Sequence, residues 1–164
     1  KLEKFVDKSL ENFFNIELIK NIYPNAKFIH TFRNPLDSAI SIYQSMLPDL
    51  SWTHNIEDIL LYMDHYHKVL EYFKSKYPEI IMDINLEEFT EKSEELAKKM
   101  CKFCGLTWNE NIHNFYKRRD LYSKTLSFNQ IRSKVLKYDN KKYQSYFNIL
   151  NDFKDKYRWL DLSK

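Results

Sequence analysis

With 43% hydrophobic and 16% aromatic residues, this chain of 164 residues holds enough apolar side chain for one globular core. Its formal net charge of +3 comes from 26 basic and 23 acidic residues mixed along the sequence, which is not the concentrated field of a dedicated nucleic-acid binder. No run approaches the roughly eighteen apolar residues of a membrane span, and Lys1-Leu2-Glu3-Lys4 lacks the apolar core of a secretory signal. No nucleic-acid partner and no membrane span are therefore expected, and the scarcity of cysteine points to the cytoplasm.

Residues 9 to 23 place Leu10, Phe13, Phe14, Ile16, Ile19 and Ile22 at helical spacing and end at Tyr23-Pro24-Asn25, which predicts an amphipathic helix. Phe28 to Phe32 is short and apolar, as an internal strand should be, and a helix is expected from Pro35 to about Gln44, before Pro48. From Asn55 to Tyr77 the apolar residues Ile56, Ile59, Leu60, Met63, Tyr66, Leu70 and Phe73 recur every three or four positions, giving a long helix closed by Pro78. A second strand is expected over residues 79 to 84, then a helix from Glu91 to Cys104 stopped by Gly105, and a short helix over 109 to 118. Leu121 to Lys137 reads as a polar functional loop, and Lys141 to Trp159 as a last helix packed on the sheet. No linker or repeat divides the chain, so residues 1 to 164 are expected to form a single domain. Two strands separated by a long helix are most economically parallel neighbours, with ligands beyond their carboxyl ends.

Arg33-Asn34-Pro35-Leu36-Asp37 lies at such an end. Asn34 is a favoured N-cap, Pro35 suits the first helical position, and Asp37 is placed to reach back as in a capping box. The first N–H groups of a helix carry partial positive charge, and the permanently charged fork of Arg33 beside them suits phosphate oxygens. Ser41 shares a helix face with Asp37 and Ser38, so its hydroxyl is a further donor. The same residues also make a plain capped turn, with Arg33 paired to a carboxylate.

Cys101 and Cys104 form a lone C-x-x-C near a helix end without the further Cys or His ligands of a zinc site, which favours buried thiols over metal or redox chemistry. His65 and His67 point to different helix faces, and His30, His54 and His113 stand alone in the sequence, so no metal is expected. Gly105 is the sole glycine, which excludes the glycine-rich phosphate loops G-x-x-x-x-G-K-[ST] and G-x-G-x-x-G. Together with a first residue that is Lys rather than Met, it suggests part of a longer protein or a processed product. Tyr116-Lys117-Arg118-Arg119 is the one stretch that would favour an RNA binder, but no RNA-binding motif accompanies it.

Val6-Asp7-Lys8-Ser9, Pro24-Asn25-Ala26-Lys27-Phe28-Ile29-His30 and Arg33 through Ser41 together resemble the sulfotransferase family, nearest to tyrosylprotein sulfotransferases and bacterial relatives with tetratricopeptide repeats. Phe103-Cys104-Gly105-Leu106-Thr107-Trp108-Asn109-Glu110 is similar to the family's F-L-G-L-x-W-x-E segment, and Ser127-Phe128-Asn129-Gln130-Ile131-Arg132 to its S-x-x-Q-V-R loop. The resemblance implies a helix-rich α/β fold, a partial P-loop-like three-layer αβα arrangement with a short parallel sheet. It also implies transfer of a sulfuryl group from 3'-phosphoadenylyl sulfate to the hydroxyl of a peptide tyrosine, sugar or small molecule, with adenosine 3',5'-bisphosphate as product. The positions matching Arg33 and Ser41 hold the 3'-phosphate in that family. The loop containing Ser127, Gln130 and Arg132, and Lys142 after it, match nucleotide-contacting stretches, while Lys8 and Ser127 match residues that stabilise the transition state.

Three departures accompany the likeness. The family's 5'-phosphosulfate loop and glutamate base lie upstream of the position of Lys8 and are not in residues 1 to 7, so little transfer by these residues alone is expected, and a non-catalytic nucleotide-binding or interaction module is the alternative. The family's Tyr-Glu-Asp after the second strand is Leu86-Glu87-Glu88 here, and a basic residue found in some relatives four positions after Ser41 is Ser45.

Overall fold

Among the described residues, asparagine side chains cap three of the α-helices. In the computed structural model, which describes residues 4–118 and 132–160, the Asn34 side chain accepts from the Leu36 N–H at 2.8 Å and starts helix α2, Pro35–Ser45. Asn55 accepts from Glu57 and Asp58 N–H at 2.8 and 3.3 Å to start α3, Ile56–Lys76. Asn85 accepts from Glu88 N–H at 3.0 Å to start α4, Leu86–Glu91. Each side-chain oxygen satisfies an amide that the helix cannot pair internally.

The strands β1, Phe28–Phe32, and β2, Ile81–Asn85, are neighbours in a two-stranded parallel sheet. Phe28 N–H donates to the Ile80 carbonyl at 2.8 Å, and Lys27 Nζ to the Glu79 carbonyl at 3.0 Å, which sets the register at the start of the pair. The helix-rich α/β class with a short parallel sheet is thus borne out.

Residue contacts divide the chain into two compact units. One takes the residues up to Phe28, Asn34–Ile81 and those from Lys141 onward; the other takes Ile29–Arg33 and Met82–Asn140.

In the first unit, the expected helix over 9 to 23 is a 3-10 turn, Asn12–Asn15, leading into α1, Ile16–Ile22. The two asparagines favour local bonds over a regular start, and Asn15 Nδ2 reaches the Glu11 carbonyl at 3.3 Å. Helix α2 buries Leu36, Asp37, Ala39 and Ile40, and α3 buries Ile59, Leu60, Met63, Leu70 and Phe73. Tyr143, Leu150, Tyr157 and Leu160 close the cluster over α2 and α3. The segment carrying Leu150 is a 3-10 helix, Gln144–Phe153, packed with α2, where a helix on the sheet was expected. Trp52 stacks on Tyr62 at 4.0 Å, and Phe13 meets Tyr66 edge-on at 5.0 Å. Glu17 of α1 binds the end of α3 by accepting from Lys76 Nζ at 2.7 Å and from Tyr77 OH at 3.1 Å.

In the second unit, the single helix expected from Glu91 is divided. Helix α4 ends at Lys92, whose φ of −122° and ψ of 41° leave the helical region, and α5 runs Ser93–Phe103. The Asn85 cap starts the first helix earlier than apolar spacing suggests. Gly105, at φ 61°, ends α5 with Leu106 N–H on the Cys101 carbonyl at 2.8 Å and Gly105 N–H on the Lys102 carbonyl at 3.1 Å. This paired closure needs a left-handed residue, and Gly105 supplies it without steric cost. The 3-10 helix Glu110–Lys117 follows. Cys101 and Cys104, expected as buried thiols, are half-buried and outside any disulfide.

Leu60, with 0% exposure in the cluster, should lose about 2 to 5 kcal/mol of stability on Leu60→Ala, read from urea unfolding. Asn34→Ala, which strips the cap of α2, should cost about 1 kcal/mol in the same measurement. The hydrogen bond from Lys76, then that from Tyr77, holds the Glu17 carboxyl below its ordinary range. Because the folded value is the lower one, Glu17 stabilises the fold at neutral pH and that contribution fades as pH falls through the acidic carboxylate range. Glu17→Gln should therefore flatten the pH dependence of the melting temperature below neutrality, most visibly at low salt.

Candidate functional site

Arg33 directly follows β1 and Asn34 opens α2, so the peptide bond between them joins strand end to helix start. Arg33 is half-buried. On α2, Pro35 has no N–H, Leu36 N–H is held by Asn34, and Ser38 N–H and Oγ both donate to the Asn34 carbonyl, at 3.1 and 3.2 Å. Most first-turn donors thus serve the cap itself. Asp37 in that turn has 0% exposure, so its carboxylate occupies the positive end of the helix dipole from within the fold. Ser41 is half-buried one turn further along α2, and its carbonyl accepts from Ser45 Oγ at 2.7 Å.

The remaining expected site residues are spread along the chain. Lys8 is exposed in the irregular stretch before the Asn12–Asn15 turn. Arg132 is half-buried, and Lys142 is exposed with its Nζ 4.9 Å from the centroid of the Tyr143 ring. Ser127 and Gln130 lie outside the described residues.

Two features escaped the sequence reading. His30 on β1 and Asp83 on β2, taken singly from the sequence, meet across the sheet with Nδ1 2.7 Å from Oδ1, and the His30 ring stacks on Phe32 at 5.4 Å. The other is an open cavity of about 500 Å³ at the carboxyl end of β2, lined by Asn85, Glu87, Glu88, Thr90, Glu91, Lys137, Tyr138 and Asn140. Tyr138 N–H donates to Thr90 Oγ1 at 3.0 Å, and Lys137 pairs with Glu91 at 3.2 Å, so the segment after the polar loop is tied to α4. Three carboxylates against one ammonium make this cavity unsuited to phosphate, while its carboxylates, amides and hydroxyl suit the hydroxyl or amino edges of a ligand. The rule that α/β sheets bind ligands beyond their strand ends pointed to its place, but the residues that line it come from segments about 50 positions apart. Among the described residues no helix is long and apolar enough to cross a membrane.

Comparison with known proteins agrees with the motifs up to Glu110. A family model described as "Sulfotransferase family" matches residues 2–110. The chain is also 32% identical over 158 residues to an uncharacterised protein of Aquifex aeolicus (strain VF5), a match that takes in 90% of this chain and 20% of that protein. The chain thus spans about a fifth of the length of that relative. The family match takes in Lys8, Arg33 and Ser41, together with both strands and the turn at Gly105. On the strength of that match, which covers well over half of its residues, the chain belongs to the sulfotransferase family.

Proposed function

We propose that this chain takes part in sulfuryl transfer from 3'-phosphoadenylyl sulfate to an acceptor hydroxyl, peptide tyrosine among the acceptors, and that it supplies the 3'-phosphate side of the nucleotide site. In this reading residues 1 to 164 are part of one sulfotransferase domain. The observation that supports it most is the family match over residues 2–110, within which a half-buried Arg33 stands at the carboxyl end of β1, directly before the capped α2.

Arg33 offers a planar pair of donors to phosphate oxygens and Ser41 a hydroxyl donor. Gln130, Arg132 and Lys142 belong to the nucleotide site, and Lys8 and Ser127 to the reacting centre. Breaking the sulfur–oxygen bond leaves negative charge on the bridging oxygen and the departing nucleotide phosphate, which a lysine and a hydroxyl donor stabilise. Losing one such donor typically costs about 3 to 4 kcal/mol of transition-state stabilisation. With Ser45 bonded back into α2 where some relatives have a basic side chain, the 3'-phosphate is held by fewer charges and Arg33 carries more of the load.

Adenosine 3',5'-bisphosphate at about 100 times its dissociation constant should stabilise the chain by about 2.7 kcal/mol, visible as a rise in melting temperature. Arg33→Ala should abolish that rise and Ser41→Ala reduce it. No rise with the unaltered chain, or an equal rise in Arg33→Ala, overturns the reading.

A further inference from the structure

We propose that Glu94, Glu110 and His113 bind a divalent transition-metal ion, with zinc the best chemical match, and that the ion ties the start of α5 to the 3-10 helix after the Gly105 turn. Among the described residues, these three side chains bring one ligand atom each to within 4.8 Å of one another.

The turn at Gly105 brings the later segment back beside α5. Glu94 lies in the first turn of α5, while Glu110 and His113 are three apart in the 3-10 helix Glu110–Lys117, where such residues stand one above the other. His113 Nε2 is 3.5 Å from Glu94 Oε2 and 3.9 Å from Glu110 Oε2. Tetrahedral zinc with bonds of about 2.0 to 2.1 Å separates its ligand atoms by roughly 3.4 Å, so a small contraction seats the ion.

The outer partners of the two carboxylates point the same way. Lys98 Nζ holds Glu94 by Oε1, and Trp108 Nε1–H holds Glu110 by Oε1 at 2.7 Å, so in each case the other oxygen, Oε2, faces the imidazole. The Trp108 ring meets His113 edge-on at 5.5 Å, and Lys98 lies over the Trp108 ring at 5.2 Å. A layer that orients the ligands without coordinating is what metal sites need. One imidazole nitrogen with two carboxylate oxygens selects a borderline ion over magnesium or calcium, which take oxygen ligands. All three side chains are exposed, so water completes the coordination.

Among the described residues the charged groups at this cluster are Glu94, Glu110, His113 and Lys98, and the rival arrangement is a protonated His113 bridging the two carboxylates without metal. Calorimetric titration of zinc chloride into the chain near neutral pH separates the two. One equivalent should bind, and His113→Gln or Glu110→Gln should each weaken it by about tenfold or more. Trp108→Phe, which removes the outer donor to Glu110 and keeps an aromatic ring beside His113, should weaken it less. Acidification should release the ion, as protons compete with it for the ligand atoms. The Cys101→Ser/Cys104→Ser double variant should bind as tightly as the unaltered chain, which excludes thiolate capture. Absence of stoichiometric binding, indifference to His113→Gln, or loss of binding in the cysteine variant overturns the proposal. Circular dichroism of each variant checks that the fold is intact, and the exposure of the three ligands makes that the expected result.

Discussion

The hydrogen bond from Leu36 N–H to the Asn34 side chain decides where α2 begins, and much else follows from that placement. Starting at Pro35, the helix turns Leu36, Ala39 and Ile40 toward α3 and the C-terminal 3-10 helix, and these residues make up part of the main buried cluster. Proline at the first position enforces the start twice, by its fixed φ and by lacking an N–H to satisfy. The same choice leaves Arg33 as the last residue before the cap.

The cap also changes what the helix terminus can do. An uncapped N-terminus presents several unpaired N–H groups to an anion, but here Asn34 takes one, Pro35 removes another, and the buried Asp37 places a carboxylate in the first turn. The positive end of α2 is therefore largely neutralised inside the protein. The phosphate recognition proposed for Arg33 rests on a side-chain cation, which differs from a glycine-rich loop in its chemistry. Loops of that kind use many backbone amides, each worth little alone, whereas a guanidinium concentrates charge and geometry in one residue. A chain whose only glycine is spent on closing α5 has the second option and lacks the first.

The second unit shows how Gly105 organises charged residues. Its left-handed turn permits the chain to double back at once, so side chains 16 and 19 positions apart, Glu94 against Glu110 and His113, share one patch of surface. Lys98 and Trp108 then select which carboxylate oxygen faces the imidazole. Similar logic operates between the strands, where pairing of β1 with β2 sets His30 against Asp83 across 53 positions of sequence.

Local chemistry made several parts of this protein readable in advance. Apolar spacing and the asparagine, proline and glycine signals located β1, α2, α3 and the end of α5 to within a residue or two, because each depends on neighbours a few positions away. The sulfotransferase motifs were likewise short runs of adjacent residues, and the family match takes in those up to Glu110. The same signals missed the break at Lys92, where the cap on Asn85 competes with apolar spacing, and read Gln144–Phe153 as a regular helix where packing with α2 accompanies a 3-10 form. The burial of Asp37, the His30–Asp83 pair, the acidic cavity at the end of β2 and the Glu94–Glu110–His113 cluster were decided by tertiary structure alone. Each depends on which segments the fold brings together, and that is set by the sum of many weak contacts across the chain, which no local pattern of residues encodes.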